Sequence, residues 1–452
     1  MEHPLRGSAV LVMGMGRSGQ AAAALARDLG ASVRTTDLRA DAPAVEGCEA
    51  IHGEHRERDF EQAEVVVVSP GIAAASPLLK RARLTGARVI GELAFGLEHL
   101  PLLPVLAVTG TNGKSSTTWY LGQLLQAAGR RAFVGGNLGH PLSDLARRHH
   151  AGEEEARATE VLVLEISSYQ LELPGELAPL AACVLNLTPD HFGRHGDMTG
   201  YAAAKRRLFE RMAPAARAWI AADGGPCEAM AEGLACRVCW LGELPGVRHD
   251  EEGMEFVGVA DEGRISWRGL NLLGAHNRDN VAAATALALS FGLRREQIDL
   301  SALSALPHRL ELVFEAEGVR WINDSKATNV DAALVGLRAM SGPTILLLGG
   351  QGKEGADYSP LAAQLGPDPR VISFGASGPE IAAVLGGHTA STLAVPSLAS
   401  AVQLARSLAR PGDTVLLSPA CASFDEFRDF EHRGRAFTEY ARATAPKKGG
   451  AA

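Results

Sequence analysis

A chain of 452 residues with 46% apolar composition can bury a large core, and at roughly 100–200 residues per domain it leaves room for two or three domains. A formal net charge of -8 argues against a general nucleic-acid binder, and the six scattered cysteines, Cys48, Cys183, Cys227, Cys236, Cys239 and Cys421, do not form a secreted disulfide framework. No apolar run reaches the ~18 residues of a membrane span and no secretion signal opens the chain, so a cytoplasmic protein without a transmembrane segment is expected.

In chain order, SAVLVM at residues 8–13 predicts a buried strand. The glycine turn GMGRSG follows, and then a helix from Arg17 to about Leu29. Further strands are expected at SVRTTD, ending at Asp37, at VVVVS, ending at Ser69, and at residues 86–92. Short β-rich runs alternating with helices predict an α/β fold built on a parallel sheet covered on both faces. The first unit ends near Leu100, and PLLP at 101–104 is a joint. A second unit opens with a strand at 105–110, a glycine-rich loop and a helix from Lys114 to about Ala128. Strands follow at 161–165, 182–186 and 218–222, with a helix at about 200–212 that carries Lys205. Residues 240–270 read as a small antiparallel excursion and 276–292 as a helix. A third unit starts near Leu306, with strands at 320–324, 344–350, 371–375 and 414–419. The last dozen residues read as a frayed tail.

The run GTNGKSS, Gly110 to Ser116, is the strongest local signal. Strand, glycine-rich loop, lysine and hydroxyl together make a phosphate-binding loop and predict an ATP-dependent enzyme. Backbone N–H groups and the helix N-terminus offer positive dipoles to phosphate oxygens. Lys114 would reach the terminal phosphates and Ser115 would hold magnesium. Glu165, ending the strand VLVLE, is a candidate magnesium ligand, because magnesium prefers hard oxygen donors; a solvated strand-end acid is the alternative. His191, in LNLTPDHFGRHG, and Lys205 are by themselves a structural histidine and a solvated helix lysine. Gly14, Gly16 and Gly19 spell GxGxxG, with Asp37 ending the next strand, which supports a phosphate at a helix N-terminus without choosing the molecule. A second nucleotide-binding unit beside an ATP loop suggests a substrate that itself carries a nucleotide. The lone CRVC at Cys236 and Cys239 cannot complete a tetrahedral zinc site.

The separated motifs GTNGKSSTT, EISSYQLE, LNLTPDHFGRHG, GAHNRDN, PHRLE, NDSKATN, LLLGGQGKEGADY and LLSPACASFDEFRDFEHRG resemble those of the Mur ligases, the amide-forming family of peptidoglycan precursor synthesis. The resemblance covers nearly the whole chain, and SPACASFDEF with GGQGKEGAD favours the glutamate-adding member. It implies three domains: a Rossmann-like N-terminal domain at 1–100 for the UDP end of the substrate, a central P-loop ATPase-type mixed-sheet domain at 101–305 for ATP, and a Rossmann-like C-terminal domain at 306–452 for the amino acid. It implies ATP, magnesium, UDP-N-acetylmuramoyl-L-alanine and D-glutamate as reactants or cofactors, and a monomer. Gly110, Thr111, Asn112, Gly113, Lys114, Ser115 and Ser116 would then hold ATP, with Asn277, Asn280, Arg309 and Asp324. Met15, Arg17, Asp37, Arg39, Ser69, Gly71, Asn137 and His191 would line the UDP-substrate site. Lys326, Thr328, Lys353, Ser423, Phe424 and Phe430 would hold D-glutamate. Ser115, Glu165, His191 and Lys205 would form the metal set, with Lys205 converted by carbon dioxide to a carbamate. Lys114, His191, Lys205, Lys326 and Lys353 would be catalytic. GGQGKEGAD is one residue longer than the commonest family spacing, and Phe424 stands where an aliphatic residue is also found.

Overall fold

The computed structural model describes residues 5–259, 261–353, 355–365, 370–386 and 392–443. The chain divides into two compact units, one made of Met1–Leu270 with Arg278–Leu303 and the other of Asn271–Asn277 with Ser304–Ala452. Among the described residues no helix is long and apolar enough to cross a membrane.

The first unit carries two sheets. Strands β1 (Ala9–Met13), β2 (Ser32–Asp37), β3 (Glu49–His52), β4 (Val65–Val68) and β5 (Arg88–Gly91) pair in the order β3-β2-β1-β4-β5. Every pairing is parallel. AVLVM and VVVV are continuous apolar runs because both faces of these strands are covered. The helix Arg17–Asp28 lays Ala22, Ala23, Leu25 and Ala26 on this sheet, and small side chains let it approach closely.

The second sheet contains β6 (Val105–Thr109), β7 (Ala132–Gly136), β8 (Val161–Glu165), β9 (Ala181–Val184), β10 (Arg217–Ala221), β11 (Arg237–Leu241), β12 (Gly246–His249), β13 (Gly253–Val257) and β14 (Gly263–Ser266). Their order is β14-β13-β12-β11-β10-β9-β6-β8-β7. It is mixed: parallel from β7 through β12, antiparallel from β12 to β14. Because β6 lies between β8 and β9 with both parallel to it, the carboxyl ends of these three strands open at one edge, the position where α/β sheets bind ligands. Ala146, from the helix Leu142–His150, packs into the core of the first sheet and ties the two layers together.

In the second unit, β15 (Glu311–Ala316), β16 (Val319–Asn323), β17 (Thr344–Gly349), β18 (Arg370–Phe374), β19 (Thr392–Val395) and β20 (Thr414–Ala420) pair in the order β15-β16-β20-β17-β18-β19. All pairings are parallel except β15 with β16. The two outer architectures are therefore Rossmann-like and the central sheet is mixed.

Five strands add to those expected from the sequence: β3, β7, β11, β15 and β19. The helix expected at 200–212 is Met198–Arg206, capped by Asp197 at Gly200 N and continued by a 3-10 turn at Arg207–Phe209. The first three residues of the expected frayed tail, 441–443, instead complete the helix Phe430–Ala443, and its remainder from residue 444 lies outside the described residues.

Candidate active site

The residues expected at the UDP end of the substrate gather where β1, β2 and β4 end. Gly14 has φ of +88°, and a Cβ there would stand 2.8 Å from Ile72 Cδ1. At Gly19 a Cβ would be driven into the Gly14 carbonyl oxygen, so this glycine is needed for helix-to-turn packing. Ser69 Oγ donates to Gly14 O at 2.6 Å. Asp37 accepts the Met15 N–H at 2.7 Å and the Arg39 backbone N–H at 2.9 Å, and the Arg39 guanidinium bonds both its oxygens at 3.1 Å. Chiefly through the Arg39 side chain, the Asp37 carboxyl is held well below the usual carboxylate range despite the opposing effect of burial. Met15 is buried, whereas Arg17, Arg39 and Gly71 are exposed.

The phosphate loop follows β6. Gly110 and Gly113 have φ of +149° and +81°, and a Cβ on Gly113 would run into Asn280 Oδ1. Asn280 also accepts from Thr117 Oγ1 at 3.3 Å, so the helix His276–Phe291 braces the loop through this residue. Asn186, just past β9, shapes the other side: its Oδ1 accepts the N–H groups of Thr111 (3.2 Å) and Asn112 (2.8 Å), and its Nδ2 donates to Asn112 O at 3.2 Å. The first N–H groups of the helix Lys114–Ala127 have no partner within the helix and are the donors a phosphate would use. Ser115 and Ser116 lie in this first turn, Ser116 being buried.

Two lysines meet at one carbonyl. Lys114 Nζ donates to Gly110 O (2.9 Å) and Thr111 O (2.7 Å), and Lys205 Nζ donates to the same Gly110 O at 2.8 Å and to Thr109 Oγ1 at 3.3 Å. Lys205 is only 1% exposed and sits 4.7 Å from the centre of the Tyr201 ring. Burial first, and the neighbouring Lys114 charge second, push its amine down to about 7. On the adjacent strand, Glu165 Oε1 accepts from Asn137 Nδ2 at 2.7 Å, while its Oε2 is buried with no hydrogen-bond partner. Such an oxygen suits a hard cation, and magnesium, which keeps waters and phosphate oxygens in its shell, needs few protein ligands. Among the described residues no group of three or more His, Cys, Asp and Glu is arranged for a metal.

His191 occupies the left-handed region at φ +55° and is exposed at the rim. Its Nδ1 is hydrogen-bonded to Tyr169 Oη at 3.1 Å, and its Nε2 lies 3.5 Å from Asp190 Oδ2.

In the second unit, the loops after β16, β17 and β20 share one sheet edge. They carry Asp324, Lys326 and Thr328; Lys353; and Ser423 and Phe424. Asp324 accepts Ser418 Oγ at 2.7 Å and Leu310 N at 3.3 Å, and burial pushes its carboxyl up to about 7. Arg309, beside Leu310, opposes that shift through its charge. Lys326 Nζ lies 5.7 Å from the centre of the Phe430 ring. Ser423 is buried, Lys353 exposed and Phe424 67% exposed. Asn277 is buried and donates through Nδ2 to Leu273 O at 2.6 Å. Arg433, fully buried, joins the three loops: it donates to Ser325 Oγ (3.0 Å), Ser325 O (2.9 Å), Ala422 O (3.1 Å) and Gly349 O (3.4 Å).

Asn186, Glu172, Tyr169, Arg194 and Arg433 are not among the site residues expected from the sequence. All lie inside runs that were singled out, EISSYQLE, LNLTPDHFGRHG and FEHRG, but a run does not say which side chains turn back to brace their neighbours.

Three family models match along the chain: "Mur ligase MurD-like, N-terminal domain" over residues 8–91, "Mur ligase middle domain" over 108–288 and "Mur ligase, glutamate ligase domain" over 308–421. A protein of Anaeromyxobacter dehalogenans described as UDP-N-acetylmuramoylalanine--D-glutamate ligase is 41% identical over 462 residues, 97% of this chain and 98% of that one. One of the same description from Koribacter versatilis is 38% identical over 468 residues, 98% of this chain and 99% of that one. Among solved structures, UDP-N-acetylmuramate-alanine ligase MurC from Thermotoga maritima is 17% identical with a TM-score of 0.60, covering 96% of this chain and 99% of that one, which speaks to the fold alone.

Proposed function

The chain belongs to the Mur ligase family, and we propose on that premise that it joins D-glutamate to UDP-N-acetylmuramoyl-L-alanine with cleavage of ATP to ADP and phosphate. It is an ATP-dependent carbon–nitrogen ligase of peptidoglycan precursor synthesis, and use of ATP with magnesium is consistent with the family. Residues 1–100 are assigned to the UDP end of the substrate, 101–305 to ATP and 306–452 to the amino acid.

The meeting of Lys114 and Lys205 on Gly110 O, at the sheet edge where Glu165 keeps an unpaired oxygen, is the observation that supports this reading most. A carboxylate is a poor electrophile and must be activated. The alanyl carboxylate attacks the γ-phosphorus of ATP, ADP departs, and an acyl phosphate forms. The amine of D-glutamate then adds to the acyl carbon, and the tetrahedral adduct expels phosphate. Lys114 exchanges its loop carbonyls for the terminal phosphate and offsets charge there. Ser115 and Glu165 would hold magnesium, which when bound neutralises phosphate charge. His191 and Asn137 are assigned to the substrate's reacting end, and His191 would also help hold the magnesium. Lys205 is assigned a carbamate, in which a neutral amine adds to carbon dioxide and releases a proton; the plain amine of this structure stands where that anionic oxygen ligand belongs. Lys326, Lys353, Thr328 and Ser423 answer the two carboxylates of glutamate with charges and hydroxyls, beside Phe424 and Phe430. Asn277, Asn280, Arg309 and Asp324 are assigned to the ATP side.

The test is incubation with ATP, magnesium and UDP-N-acetylmuramoyl-L-alanine, comparing D-glutamate, L-glutamate, L-lysine and D-alanine by phosphate release and product mass. D-Glutamate should be preferred, and Lys114→Ala should lose on the order of 100-fold or more in rate. Preference for another amino acid overturns the specific assignment, and full activity in Lys114→Ala overturns the role of the loop.

A further inference from the structure

Arg194 stands three residues after His191 and makes contacts that the ligation chemistry does not itself require. Its guanidinium pairs with both oxygens of Glu172, Nε to Oε1 at 2.6 Å and Nη2 to Oε2 at 2.9 Å. It also donates to the backbone of the uridine-side loop, Nη1 to Gly71 O at 3.2 Å and Nη2 to Ile72 O at 2.7 Å. Glu172 Oε2 accepts the Ala74 N–H at 3.0 Å from the same loop. The Arg194 guanidinium lies 4.8 Å from the centre of the Tyr169 ring, and Tyr169 Oη is the partner of His191 Nδ1. The ion pair is largely buried, with side chains 16% and 17% exposed.

The pair therefore bridges two parts of the fold that are far apart in sequence. One is the loop after β4, which carries Ser69 and Gly71. The other is the segment after β9, which carries His191 at the phosphate side. A planar guanidinium that makes a two-pronged carboxylate pair and still reaches two carbonyls fixes both partners in distance and direction, which a lysine's single ammonium cannot do. We propose that Arg194 and Glu172 are positioning residues that lock the loop 71–74 to the His191 segment, so that a substrate held at its nucleotide end presents its carboxylate to the γ-phosphate. The inference rests on the ligation proposed above.

A strut of this kind has a distinctive kinetic signature. It acts on the one substrate that spans both parts, and leaves the other two substrates alone. Arg194→Met keeps much of the aliphatic stem and the packing on Tyr169 but removes the four hydrogen bonds. Its KM for UDP-N-acetylmuramoyl-L-alanine should rise at least about 10-fold, with KM for ATP and for D-glutamate within about twofold of the starting protein. Substrate-dependent exchange between ADP and ATP, which reports acyl-phosphate formation alone, should fall in parallel. Glu172→Gln, a nearly isosteric change, should show the same pattern at a smaller amplitude. The Glu172→Gln/Arg194→Met double variant should be little worse than Arg194→Met, because the two residues act as one device. Arg194→Lys should recover little, since one ammonium cannot serve the carboxylate and both carbonyls. An unchanged KM for the UDP substrate, or an equal rise for all three substrates, overturns the proposal; if Arg194→Met fails to fold, Glu172→Gln is judged by the same criteria. Failure of the unsubstituted protein to ligate D-glutamate would instead overturn the ligation on which the strut depends, so the two failures are distinct.

Discussion

Lys205 gives the most quantitative test of the chemistry. A lysine reacts with carbon dioxide only as the neutral amine. At its ordinary value of 10.5 a lysine is neutral to only about one part in a thousand at pH 7.5, whereas at about 7 roughly three quarters of the population is neutral. Burial against the loop thus raises the reactive fraction by nearly three orders of magnitude. The same shift fixes the sign of the pH dependence. Between about 7 and 10.5 the unfolded chain would carry a proton at this position that the folded chain does not, so the burial penalty is present in full below about 7 and is relieved as pH rises through that window. Carbamate formation depends on the folded-state value alone, so at a fixed level of dissolved carbon dioxide it should rise as pH climbs through about 7 and level off about a unit above it. With carbon dioxide and bicarbonate stripped from the buffer, the ligation rate at pH 7.5 should fall several-fold and return on adding bicarbonate. Labelling with ¹³C-bicarbonate should give one carbamate NMR signal that is absent in Lys205→Ala. Lys205→Ala should be nearly inactive and should regain part of its rate with a short-chain carboxylic acid, whose oxygens replace those of the carbamate. An undiminished rate in stripped buffer together with no ¹³C signal would refute the reasoning, as would a Lys205→Ala protein of ordinary activity.

Two further changes test the scaffold on either side. Gly19→Ala should lower the thermal midpoint by roughly 2–10 °C, from an overpacking cost of about 1–3 kcal/mol, because the new methyl group is forced onto the Gly14 carbonyl; an unchanged melt would mean that the turn can yield. Asp324 tests the second unit through pH. Its carboxyl is raised from 3.8 to about 7, so the folded state holds a proton that the unfolded state has lost, and stability falls as pH climbs between those values. Asp324→Asn should therefore gain on the unsubstituted protein from pH 4 to pH 8 in denaturant melts, by no more than a few kcal/mol, and parallel curves would count against the raised value.

What the sequence made legible follows from where apolar residues must lie. The strands read in advance, among them β1, β4, β6, β8, β17 and β20, are covered on both faces, so VVVV and TVLLSPA announce themselves as runs. Four of the five that were not read, β3, β7, β15 and β19, are the edges of their sheets. An edge strand is half-solvated and can be as polar as EAIH or as glycine-rich as AFVGG, so it carries no such run. The same contrast holds for the site. The phosphate loop was legible because backbone geometry demands its glycines. Asn186 was not, because its task is to bond the N–H groups of Thr111 and Asn112 across 74 and 75 positions of chain, and only the order β9-β6-β8 brings it there. Lys205 was legible through resemblance alone: a helix lysine is solvated by default, and nothing local says that this one is turned under the loop.

That placement has a consequence for the order of charges at the loop. Two ammonium groups sharing Gly110 O repel, and the Lys114 charge adds to burial in lowering Lys205. The loop that awaits a polyphosphate thereby keeps its second lysine neutral enough to react. Were Lys205 converted to the proposed carbamate, the sign of the interaction would reverse: Lys114 would be drawn to an anion and to phosphate oxygens rather than opposed by a neighbouring cation, and the Glu165 oxygen that has no hydrogen-bond partner would gain a second anionic group with which to share a divalent cation. The loop, its first lysine and its second lysine form one electrostatic device. Neutralising Lys114 should therefore do more than weaken phosphate binding; it should also raise Lys205 toward its ordinary value and delay its reaction with carbon dioxide.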